Sequence, residues 1–69
     1  MTSPKKRLFT DEFRVGDKVA IIRHKHGWFD GRVVGVLKVV RPDSALVLSD
    51  DEEYAGGYEI KHPRDIKKV

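Results

Sequence analysis

The sequence predicts an all-β fold, with five short strands curled into one small barrel. Three observations predict it. The apolar residues fall in short, β-branched, partly alternating runs bounded by Gly, Pro, Asp and Ser turn signals. No apolar pattern with helical spacing lasts longer than a turn. The chain has 69 residues, 39% of them hydrophobic, which is enough for one core only, and so short a meander avoids long exposed edges by curling.

Residues 1–12 mix Ser, Pro, Thr and charge without periodicity and read as a flexible basic arm, leaving 13–69 for the barrel. Phe13 pins the start of the fold, and Val15-Gly16-Asp17 reads as a turn. Lys18 to Arg23 reads as the first strand. His24 to Asp30 reads as a loop holding Trp28 and Phe29. Gly31 to Val40 is the longest β-prone stretch, and Gly35 within it marks a bulge or a bend where another backbone comes close. Arg41 to Ser44 reads as a turn, Ala45 to Leu48 as a strand, and Tyr58 to His62 as an alternating strand. Pro63-Arg64-Asp65 suits one 3₁₀ turn, and Ile66 to Val69 a last short strand. Five strands with a 3₁₀ turn before the last is the arrangement of an SH3-like small barrel. The expected core is Val19, Ile21, Val33, Val36, Leu46, Leu48, Ile60 and Ile66, with Phe13 and Val69 at its ends.

Composition removes several function classes. The chain has no cysteine, so disulfides and thiolate metal sites are excluded. No apolar run approaches the roughly 18 residues of a membrane span, and the N-terminus lacks the apolar stretch of a secretory signal. A soluble cytoplasmic domain is expected. The net charge of +3 conceals a polarised distribution. Residues 18–41 carry six basic side chains against Asp30, whereas residues 42–59 carry six acidic ones and no basic one. The run Asp50-Asp51-Glu52-Glu53 reads as a solvated loop that blunts a sheet edge.

The string VGDKVAIIRHKHGWFDG carries a resemblance. Its Gly16, Lys18, Val19, Ile21, Arg23, Trp28 and Phe29 resemble the opening of the SH3-like accessory subunit on the stromal side of photosystem I, over about a quarter of the chain. That family and related electron-transport accessory domains imply a non-enzymatic subunit. The photosystem subunit helps ferredoxin dock by means of exposed basic residues. The family's longer loop between its third and fourth strands is missing or shortened here. Phe13, Gly16, Asp17, Val19, Trp28 and Gly31-x-Val33-Val34-Gly35 are similar to the first half of the plasmid-borne, trimethoprim-resistant dihydrofolate reductases. Those enzymes need a Val-Gln-Ile-Tyr strand lining a four-subunit pore. The matching place here reads Tyr58-Glu59-Ile60-Lys61, and four copies of each charge around one pore would repel strongly. Gly31 to Val36 is also similar in rhythm to the KOW-type nucleic-acid-associated module. The pattern common to all three specifies a turn and a barrel rather than an activity.

The candidate binding residues are Arg23, Lys25, Trp28, Phe29, Arg32, Tyr58 and Lys61. Adjacent aromatics in extended chain point to opposite sides, so one of Trp28 and Phe29 caps the core while the other is displayed among cations. Both closing one end of the barrel is the competing arrangement. A displayed platform suits a protein hot spot or base stacking. His24 and His26 share one face if the strand continues, and His62 is a third imidazole; zinc needs three or four ligands and no cysteine is available, so the histidines read as a pH-responsive patch rather than a metal site. No nucleophile triad, carboxylate pair or phosphate-cradling glycine loop is present. The sequence therefore predicts a non-catalytic docking module for a larger protein or complex, with no cofactor and no metal. The alternative is a nucleic-acid-binding module using Lys5, Lys6 and Arg7 as well; the third reading, a plasmid-type dihydrofolate reductase, requires that the chain oligomerise around a pore. The oligomeric state is open.

Overall fold

The computed structural model of the chain describes residues 7–25 and 27–69. Lys5 and Lys6 of the basic arm, and His26, lie outside the described residues. Among those described, one helical turn precedes five strands: α1 (Phe9–Glu12), β1 (Lys18–His24), β2 (Gly27–Val40), β3 (Ala45–Ser49), β4 (Gly56–Ile60) and β5 (Ile66–Lys68), with a 3₁₀ turn at Pro63–Asp65 before β5. The strands form one antiparallel sheet in the order β4-β3-β2-β1-β5. The all-β expectation and the 3₁₀ turn are both met.

Local chemistry sets the boundaries. Gly16 has φ 96°, in the left-handed region that glycine adopts without strain. The Asp17 carboxylate accepts a hydrogen bond from the Arg14 N–H at 2.9 Å, closing the turn into β1. Arg41 N–H donates to the Ser44 carbonyl at 2.8 Å, closing the β2–β3 turn. Pro63 starts the 3₁₀ turn, where its missing N–H and fixed φ cost nothing.

β2 is longer than expected. It begins at Gly27 rather than Gly31, so Trp28 and Phe29 lie on a strand and not in a loop. Its first bend is at Asp30 (φ 54°) and Gly31 (φ 76°). Ile21 faces Val33 while Arg23 faces Trp28, so residues 29–32 lie opposite Ile22 alone, a bulge that bends the strand. Gly35 serves the close approach instead. A Cβ there would lie 2.6 Å from the Leu48 carbonyl oxygen and 2.7 Å from Val47 Cγ1.

The core contains Val19, Ile21, Val33, Ile60, Ile66 and Phe13, as expected. The phase of the sheet's middle corrects three other assignments. Leu37, Ala45 and Val47 point inward, whereas Val36 and Leu46 are half-buried and Leu48 is exposed. The pairings Ala45↔Ile60 and Val47↔Tyr58 put those residues on the inner face, and a one-residue slip exchanges the faces of a strand. Val69 lies beyond the end of β5 and is exposed.

The packed region starts at Phe9, not at Phe13. Phe9 is fully buried, its ring centroid is 6.1 Å from that of Phe13, and its N–H donates to the Pro42 carbonyl at 3.1 Å. Arg7 is held at the surface by the Glu12 carboxylate through two hydrogen bonds of 2.7 and 2.8 Å. That pairing raises the Arg7 pKa and lowers that of Glu12.

Ser49 is the buried polar residue among the described residues, and it carries a prediction. Its hydroxyl donates to the Val34 carbonyl at 3.2 Å and accepts the Asp51 N–H at 3.2 Å. Asp51 in turn accepts the N–H groups of Glu53 and Tyr54, so one hydroxyl ties the acidic turn to β2. Ser49→Ala should cost about 1–2 kcal/mol, since it leaves a part-buried N–H and C=O without this partner. The urea midpoint measures it.

Candidate functional site

The sequence-predicted site residues divide into two groups. Phe29 and Tyr58 are corrected from binding residues to core: each is 9% exposed. Their rings meet edge to face at 5.8 Å, and Tyr54 packs on Phe29 at 5.0 Å. The Tyr58 hydroxyl donates to the Tyr54 carbonyl at 2.8 Å, giving the phenol the partner that a buried Tyr requires. His24 lies edge-on to Tyr58 at 5.0 Å. This aromatic cluster brings the start of β2 against β4, although neither strand pairs with the other.

Trp28 takes the opposite side from Phe29. It is 66% exposed, the displayed alternative rather than the arrangement with both rings closing one end. Its cross-strand partner is Arg23, so the two side chains emerge on one face, where directly opposed pairs are within reach of each other.

Beside them is an open groove of about 820 Å³. One wall is the end of the β1–β2 hairpin, with Arg23, His24, Lys25, Gly27 and Trp28. The other is Gly57, Glu59, Ile60, Lys61 and His62 from β4 and the segment after it, with Leu46 and Asp65 completing the lining. Four of the predicted residues, Arg23, Lys25, Trp28 and Lys61, therefore line one groove. Arg32 is exposed but sits in the β2 bulge and is not part of that lining. Lys61 and His62 also line a smaller cavity of about 210 Å³ with Arg7, Phe9 and Arg64.

The groove's electrostatics are mixed. Arg23, Lys25 and Lys61 supply positive charge, and Glu59 and Asp65 negative charge. Lys61 and Glu59 approach to 3.1 Å with side chains 65% and 62% exposed. A pair so exposed is worth little in water and opens readily to another ion. Among the described residues no three His, Cys, Asp or Glu side chains gather as a metal site. The arrangement can bind an anionic group by charge and cover apolar surface with an indole.

Leu46, Gly57, Glu59 and Asp65 were not anticipated as site residues. A signal existed for β4. Once Ile60 is assigned to the core, the period of two puts Tyr58 inside with it and turns Gly57, Glu59 and Lys61 outward.

Comparisons with protein-family models, with curated proteins and with solved structures give no match. The photosystem-type, reductase-type and KOW-type likenesses rest on the residues quoted for them.

Proposed function

We propose that this chain is a non-catalytic docking module, an SH3-like small barrel that attaches to a larger protein or complex through the Arg23–Trp28 groove. The observation that carries the reading is Trp28. An indole 66% exposed, fixed on a strand and flanked by Arg23 and Lys25, has the composition of an interface hot spot. The barrel component is supported by the meander order, the 3₁₀ turn before β5 and the Phe29–Tyr58 contact, which requires the sheet to curl. In the stretch compared with the reductase strand, Tyr58 is a core residue and Glu59 pairs with Lys61, which favours a structural role there. Glu59 and Asp65 interrupt the cations of the groove, which disfavours a continuous polyphosphate backbone but leaves Arg23, Lys25 and Lys61 for single carboxylates, so a protein partner is preferred to nucleic acid.

Capture from an extract of the source organism, with and without nuclease, tests the reading. The expected result is a defined protein retained after nuclease and lost with Trp28→Ala or Arg23→Glu. Trp28→Ala should change folding stability by only about 0.5 kcal/mol, so loss of capture reports the surface. Capture abolished by nuclease, with steep salt dependence, would establish the nucleic-acid alternative instead. Capture indifferent to both substitutions would place the interface elsewhere.

A further inference from the structure

β4 ends the sheet. Among the described residues it pairs with β3 along one side and with no strand on the other. An exposed sheet edge is a template for an added strand. Natural edges are commonly blunted by bulky or charged side chains, but β4 opens with Gly56-Gly57. Gly57 presents no side chain, and even a Cβ there would stand 3.5 Å from Leu46 Cδ1. Its absence leaves Leu46 as a shallow apolar floor. The groove described above runs beside this edge, with Gly57 and Glu59 on one wall and Arg23, Lys25 and Trp28 across from them.

We infer that the groove receives an extended acidic segment of the partner protein, which adds to the outer side of β4 as a further strand. The inference rests on the docking reading and specifies its ligand. Main-chain hydrogen bonds to β4 supply affinity, and alternate side chains supply specificity. Because side chains alternate with a period of two, one set faces Leu46 and favours apolar residues. The charge of the groove selects the rest: three Arg and Lys side chains line it against two carboxylates, and Lys61 exchanges its exposed contact with Glu59 for a carboxylate of the ligand.

The probe is an end-blocked peptide of alternating Val and Glu, about eight residues long, titrated into the ¹⁵N-labelled full chain. It should shift the amide signals of residues 56–60 and the Trp28 indole signal, and Arg23→Glu should weaken it about tenfold or more. Two further peptides carry N-methyl groups on alternate amides, one on each set. Methylation of the set facing β4 should weaken binding by at least about tenfold and methylation of the other set should not. Equal binding of both methylated peptides would overturn strand addition while leaving the docking reading intact. No binding of the parent peptide, with Trp28-dependent capture of a protein partner still present, would overturn the acidic-strand inference alone. Loss of both would remove the docking reading as well. Equal binding of a Val–Lys peptide, preference for an oligothymidylate, or a dimer joined through β4 in light scattering would each overturn it by naming a different occupant.

Discussion

Phe9→Ala should destabilise the chain by about 3–5 kcal/mol, the range for deleting a fully buried aromatic side chain. Phe9 is 0% exposed and stacks toward Phe13 at 6.1 Å. Its N–H also anchors α1 to the β2–β3 turn at Pro42. A domain of this size has stability near the lower end of about 5–15 kcal/mol, so the variant should be largely unfolded near physiological temperature. Urea unfolding followed by circular dichroism measures the loss. Thr10→Ala, exposed in the same turn, should stay within about 0.5 kcal/mol. Equal stability of the two variants would mean that α1 does not belong to the core.

Gly35→Ala should be comparably damaging for the opposite reason. The added methyl would enter a space where the Leu48 carbonyl oxygen lies 2.6 Å away and the Leu48 carbonyl carbon 2.9 Å away. These are backbone atoms in a ladder, and they cannot rotate aside. Gly35 faces Val19 on one side and Ser49 on the other, so relief would separate β2 from β3. Overpacking typically costs about 1–3 kcal/mol and occasionally more, and a clash with backbone atoms falls at the upper end of that range. Gly57→Ala is the matched control. Its Cβ would meet Leu46 Cδ1 at an ordinary 3.5 Å, and stability should change by less than about 1 kcal/mol. Thermal unfolding of the two variants separates a steric requirement from a general cost of replacing glycine.

The residues that made the fold legible have one feature in common: only one arrangement suits them. The β-branched runs and their Gly, Pro and Asp punctuation give strands. Pro63 gives the 3₁₀ turn, and Gly35 a close backbone approach. The division of Trp28 and Phe29 between solvent and core follows from pleating once both lie on β2, whereas the sequence reads them in a loop with a competing arrangement open. What was not legible was phase where apolar residues lie on both faces. Val36-Leu37 and Ala45-Leu46-Val47-Leu48 have no polar residue to mark the outer side. Larger Leu side chains suggest the core, yet pairing to Ile60 and Tyr58 selects Ala45 and Val47. Phe9 was obscured by its charged, Pro- and Ser-containing surroundings, since local composition says nothing of a contact with Pro42. The cationic half of the groove was legible as charge near an aromatic. Its other half depends on β4 being brought beside the β1–β2 hairpin, a long-range consequence of the curl.

The central claim is that the face around Trp28 meets the partner. Trp28 is the chain's single tryptophan, so its fluorescence reports that face alone. Iodide quenching of the free chain and of its complex with the captured partner is the direct measurement. The account predicts ready quenching in the free chain, and protection with a blue-shifted emission in the complex. A complex whose tryptophan remains as accessible to iodide as in the free chain would contradict it.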